Sequence, residues 1–213
     1  MRRLLHVSAS PRGAASFSRT VGEELAGAVA AATPGWTVTR RDLSHTPLPH
    51  PGPDFARANA LAPDMRGPAE RAALARSEAL IAEIEAADVL VISTPMHNFT
   101  VPSALKAWID HVVRPGRTFR STPAGKQGLL ADRPAFAIVS CGGRLGEQPV
   151  GQADFLTPYL RYVLATIGLS CLDVLCLEEM NRGPEKVAAA RAAARKWQAG
   201  CIARAAAALG PGA

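Results

Sequence analysis

At 213 residues, with 48% hydrophobic and 20% charged residues, the chain has the make-up of one globular domain with a substantial core, taken as residues 1–213. No uncharged apolar run reaches the roughly 20 residues that span a bilayer, and the start, Met1 to Val7, is too short for a secretory signal, so a cytoplasmic protein without membrane contact is expected. The net charge of +6 comes from scattered arginines, not from a basic helix face interleaved with aromatics, so nucleic acid is not the expected partner.

In chain order, Arg3-Leu4-Leu5-His6-Val7 reads as a first strand, followed directly by Ser8 to Ser18 with its small and hydroxyl residues. A helix opens near Ser18 with Val21, Leu25, Ala28 and Val29 as its apolar stripe. Serines ahead of a helix suit a phosphate, because the first amides and the dipole attract anions. They also cap helices with no ligand present. Residues 31–35 supply a turn, and Trp36 to Arg41 alternates as a second strand. From Leu43 to Pro68, six prolines mark a long connection, either a lid or interface segment or a plain surface excursion. Glu70 to Ala87 is predicted as a helix with Leu74, Ser77, Leu80, Ile81 and Ile84 inward.

Val89-Leu90-Val91-Ile92 reads as a buried parallel strand. It runs into Pro95-Met96-His97-Asn98-Phe99 and then a helix from Ser103 to Val113, with Pro102 at its start and Leu105, Trp108, Ile109 and Val112 on one face. Arg120 to Arg133 is a polar connection, a hairpin or a lid. Ala135 to Val139 is a fourth strand ending at Ser140-Cys141-Gly142-Gly143, where glycines let backbone approach a flat ring, although glycine pairs also mark ordinary turns. Phe155 to Ile167 is a helix, Leu169 to Leu177 a last strand, and an alanine-rich helix runs from Gly183-Pro184 to about Leu209. This alternation predicts a three-layer, doubly wound α/β fold: a five-stranded parallel sheet with helices on both faces. In strand order 2-1-3-4-5, the loops after strands 1, 3 and 4 meet at one edge, where such sheets bind ligands.

The motifs narrow the ligand. Neither GxGxxG nor GxxxxGK[ST] is present, so a mononucleotide with a single phosphate fits better than a dinucleotide or a nucleoside triphosphate. Cys141, Cys171, Cys176 and Cys201 show no metal-ligand spacing and no partner base, so neither a metal nor a thiol nucleophile is expected. No Ser/His/Asp constellation is evident, and without GxSxG a hydrolase on this scaffold is disfavoured.

Ser10, Ser16-Phe17-Ser18, Pro95-Met96-His97-Asn98-Phe99, Leu105-Lys106 with Asp110, Arg114 to Phe119 and Ser140 to Gly143 occur in the order and spacing of the FMN-dependent NADH:azoreductase and quinone-reductase family, which the chain resembles over nearly its whole length. That family often has tyrosine where His97 stands and glutamine or another residue where Phe17 stands. The resemblance implies a flavodoxin-like fold, tightly bound non-covalent FMN, NADH or NADPH as donor, quinones and aromatic azo compounds as acceptors, and a homodimer with its cavity at the subunit interface. It implies that Ser10, Ser16, Phe17 and Ser18 hold the phosphate, that Met96, His97, Asn98 and Phe99 border the ring, and that Ser140, Cys141, Gly142 and Gly143 address its polar edge. Phe119 and Tyr162 are acceptor-stacking candidates, and Arg12, Arg120 and Arg144 each suit the extra phosphate of NADPH. No catalytic side chain is required, because a flavin carries the chemistry; His97 and solvent are alternative proton sources. A flavodoxin-like electron carrier is the rival reading, but such carriers are expected to be acidic and this chain is basic.

Overall fold

A computed structural model describes residues 2–32, 34–147 and 149–208. The predicted end of the last helix at Leu209, and Thr33 within the predicted turn, lie outside them. Five strands form one parallel sheet: β1 (Arg2–Ser8), β2 (Trp36–Asp42), β3 (Val89–Pro95), β6 (Ala135–Ser140) and β7 (Leu172–Leu177), in the order β2-β1-β3-β6-β7. The missing numbers are a separate antiparallel hairpin, β4 (Phe119–Thr122) with β5 (Gly125–Gly128), which settles the predicted connection between Arg120 and Arg133 as a hairpin.

Alternation along the strands divides the core. Leu5, Val7, Leu90, Ile92, Ala135, Ala137 and Val139 point to one face, where α3 (Pro68–Glu85), α4 (Ser103–Val112) and α5 (Leu156–Thr166) cover them. Leu4, Val89, Val91, Phe136 and Ile138 point to the other, beneath α1 (Phe17–Ala32) and α6 (Pro184–Ala207). All five residues predicted for the inner face of α3 are buried. On α1 the stripe is Val21, Gly22, Leu25, Ala26 and Val29; Ala28 is only half-buried.

The long proline-rich connection is not structureless. Pro53–Ala60 is a helix, α2, with Pro53 in the first turn, where a missing N–H costs nothing, and a 3-10 turn follows at Pro63–Met65. Ala58 is fully buried, and α2 is tied down through Asn59, whose Oδ1 accepts from Arg114 Nε at 3.0 Å. Arg114 is itself wholly buried and also donates to Ser77 Oγ at 3.0 Å and Glu78 Oε1 at 2.6 Å on α3.

Candidate functional site

The carboxyl ends of β1, β3, β6 and β7 open into a cavity of about 180 Å³. It is lined by Ser10, Arg12, Ser16 and Phe17 from the first loop, and by Pro95, Met96 and His97 from the second. Ser140, Cys141 and Gly142 follow β6, and Met180 and Asn181 follow β7. The volume is below the roughly 300 Å³ at which pockets for whole small ligands begin, so the enclosed part suits an anionic head with its attached chain and leaves a flat ring at the mouth.

The first loop leads into the open amino end of α1. Gly13, at φ +53°, starts the 3-10 turn Gly13–Ala15, and the Ser16 amide closes it on Gly13 O at 3.2 Å. Ser16 Oγ then accepts from the Arg19 amide at 3.2 Å, so Ser16 caps α1, while the amides of Phe17 and Ser18 open the helix without acceptors behind them. Ser18 is fully buried and its Oγ turns to Ser16 Oγ at 3.3 Å; it does not line the cavity.

The second loop is a tight turn. His97 and Thr100 exchange both backbone hydrogen bonds at 3.0 Å, and between them Asn98 and Phe99 hold φ of +47° and +71°. Positive φ at both central positions matches a type I′ turn, in which Asn is favoured first and Gly second. Phe99 in the glycine position is strained, the kind of backbone outlier that concentrates at functional sites. The turn points outward: Asn98 and Phe99 are exposed and only Pro95, Met96 and His97 face the cavity.

The last two loops are zipped together beyond the sheet. The Cys141 amide donates to Leu177 O at 2.9 Å, Met180 N to Cys141 O at 3.1 Å and Glu179 N to Gly143 O at 3.1 Å, with Glu179 at φ +57°. This extended ladder delivers the Asn181 amide against Gly142, where a Cβ would stand 2.5 Å from Asn181 Nδ2. Gly143 does not line the cavity: a Cβ there would meet Gln152 Oε1 at 2.8 Å, and Gln152 Nε2 donates to Met96 Sδ at 3.4 Å, tying the second loop to the third. Burial pushes the Cys141 thiol up to about 12, and its Sγ–H donates to Gly143 O at 3.2 Å, so it stays a neutral donor and no nucleophile.

Arg12, Pro95, Met180 and Asn181 line the cavity although sequence reasoning had not placed them in it. Position at a strand's carboxyl end was the available signal for Met180 and Asn181. Phe119 and Tyr162 lie elsewhere: Phe119 is buried in β4 with Lys126 Nζ 5.1 Å from its ring centroid, and Tyr162 stands exposed on α5. The structure also contains a Ser-His-Glu chain that the sequence conceals. His6 Nε2 meets Ser93 Oγ at 2.8 Å and His6 Nδ1 meets Glu23 Oε1 at 3.2 Å. Ser93 is fully buried and Gly22 closes over it, so no substrate reaches that hydroxyl and the chain of bonds ties α1 to the sheet.

The donor set fits a phosphate ester: the first loop's Ser10 and Ser16 at the cavity wall, the opening amides of a helix and one arginine, with thioether and glycine surfaces beside them for a flat ring. Among the described residues no group of His, Cys, Asp and Glu is arranged to hold a metal ion. A family model described as flavodoxin-like fold matches residues 2–200. A protein of Cupriavidus pinatubonensis named FMN-dependent NADH:quinone oxidoreductase 2 is 52% identical over 206 residues, covering 97% of this chain and 100% of its own. One of Burkholderia lata, named FMN-dependent NADH:quinone oxidoreductase 5, is 49% identical over 178 residues, covering 84% of this chain and 85% of its own. Among solved structures, an azoreductase from Bacillus anthracis superposes with a TM-score of 0.84 at 26% identity, covering 95% of this chain and 99% of that one.

Proposed function

The chain belongs to the FMN-dependent NADH:quinone oxidoreductase family of flavodoxin-like fold, and on that premise we propose that it binds FMN in the cavity at the carboxyl edge of the sheet and reduces quinones and aromatic azo compounds with NADH or NADPH. The observation that carries this reading is the convergence of Ser10, Ser16 and Phe17 with Met96, His97, Ser140, Cys141 and Gly142 on one cavity, from three loops spread along the chain between Ser10 and Gly142. When bound, FMN supplies two-electron chemistry between the nicotinamide and the acceptor.

The residues themselves bind, orient and exclude water. Ser10, Ser16 and the first amides of α1, with Ser18 supporting Ser16, hold the phosphate. Met96 and His97 flank the ring, and the outward-pointing Asn98-Phe99 turn fixes His97 through its paired backbone hydrogen bonds with Thr100. Ser140, Cys141 and Gly142 border its polar edge, Gly143 O accepts from the Glu179 amide and the Cys141 thiol behind them, and that neutral thiol keeps the loop closed without competing as a nucleophile. Exposed Phe99, Phe155 and Tyr162 support a homodimer: the Phe155 amide donates to Phe99 O at 3.2 Å, and Tyr162 follows Phe155 on the same face of α5. In this reading exposed Tyr162 acts only as a wall of the partner's cavity, and buried Phe119 does not contact the acceptor. Among the described residues no helix is long and apolar enough to cross a membrane, which accords with the cytoplasmic location proposed here.

A visible spectrum of natively purified protein, repeated after anaerobic addition of NADH, tests the proposal. A flavin spectrum that bleaches is the expected result. A colourless protein that ignores added FMN would return the serine loop to a plain helix cap, and bleaching without reoxidation by any quinone would favour the electron carrier.

A further inference from the structure

The anion end of the cavity leaves charge unaccounted for. Its hydroxyls are neutral: Ser10 Oγ accepts from the Arg12 amide at 3.4 Å and Ser16 Oγ from the Arg19 amide at 3.2 Å, which leaves an O–H to donate to a phosphate but supplies no positive charge. A phosphate monoester carries close to two negative charges at neutral pH, and neutral dipoles alone leave that charge uncompensated. Arg19, next along the helix, is spent elsewhere, with its guanidinium on Ser8 Oγ and Asp42. Arg12 differs. It is the one Lys or Arg among the lining residues, and no carboxylate lies within ion-pairing distance of it among the described residues. Its guanidinium carbon stands 6.0 Å from the centroid of the Phe17 ring.

We propose that Arg12 is the charge-bearing ligand of the FMN phosphate and that Phe17 is a positioning residue, its ring face holding the guanidinium at the cradle. This rests on reading the cavity as the FMN site. It turns two sequence features to one purpose: Arg12 serves the resident cofactor and not the extra phosphate of NADPH, and Phe17, which departs from the family's usual residue, supplies the aromatic platform that a guanidinium prefers. Gly13, at positive φ, starts the turn between Arg12 and α1, and Arg12 lines the same cavity as Ser16 and Phe17 at the start of that helix.

Riboflavin separates charge from everything else, because it has the ring and ribityl chain without the phosphate. Binding of FMN and riboflavin to flavin-free protein, followed by fluorescence quenching, is the experiment. Arg12→Ala is expected to weaken FMN by about 10- to 100-fold and leave riboflavin unchanged, with Arg12→Lys recovering part of the loss. Phe17→Ala is expected to weaken FMN alone, by less, and to add nothing in the Arg12→Ala background. Ionic strength gives a second measure: FMN affinity in Arg12→Ala should fall less steeply with salt than in the native protein. Equal loss of both flavins, no loss, or an unchanged salt slope overturns the role of Arg12 while leaving the FMN site standing. Native protein that binds neither flavin overturns the site itself.

Discussion

Gly142 and Gly128 show how one methyl group can have opposite consequences. At Gly142 a Cβ would meet the far end of Asn181, which can swing away, so Gly142→Ala should fold with stability within about 1 kcal/mol of the native protein yet bind FMN more weakly. At Gly128 a Cβ would stand 2.2 Å from the backbone nitrogen of Gly168, which cannot move; Gly128→Ala should lose about 3 kcal/mol by denaturant unfolding. The cysteines separate as sharply. Buried Cys141, with its thiol pushed up to about 12, should resist iodoacetamide near pH 8 in the native protein while exposed Cys171 is labelled, as mass spectrometry would show. Glu23 gives the fold an acid limit. Its hydrogen bond to His6, and then that from Arg40, lower its carboxyl from 4.5 to about 2, against the opposing effect of burial. A lowered carboxylate stabilises the fold fully above about 4.5 and loses that contribution as pH falls toward 2. Unfolding curves of the native protein and Glu23→Gln should therefore converge across that window; a constant gap would exclude the linkage.

Elements whose pattern is local were legible in the sequence, and those fixed by tertiary contact were not. The inner face of α3 was read correctly at all five positions because spacings of three and four specify a helix face without knowledge of its partner. The α2 helix was hidden because proline density reads as loop, whereas Pro53 occupies the one turn that tolerates it. Its stability comes from elsewhere in the chain, through buried Arg114; Arg114→Ala should cost about 2 kcal/mol and speed amide exchange over α2 before the sheet. The site divides the same way. Serines, the Met96-His97 loop and the Gly142-Gly143 pair carry local signatures, but Asn181 reaches the cavity only because the β6 and β7 loops continue their ladder past the sheet. In the second loop, Phe99 occupies a position suited to glycine, so Phe99→Gly should not destabilise the turn; a loss of quinone reduction with unchanged stability would assign the ring to function or assembly.

At the scale of the whole molecule, the two buried clusters share every central strand of one sheet, so unfolding is expected as a single transition. The strip formed by Phe99, Phe155 and Tyr162 predicts self-association: Phe155→Glu should shift the sedimenting species from dimer to monomer, and an unchanged dimer would place the interface elsewhere. The strand order also has a consequence for synthesis. β1 lies between β2 and β3, and Arg3 O receives a hydrogen bond from the Asp88 amide, so the first strand emerges from the ribosome long before its second neighbour exists. At roughly 5–20 residues per second, Ser10 waits on the order of ten seconds or more for Asn181, and throughout that interval the nascent chain has no cavity to fill. Closure of the cavity, and with it full cofactor affinity, is thus expected only once the loop after β7 has been made.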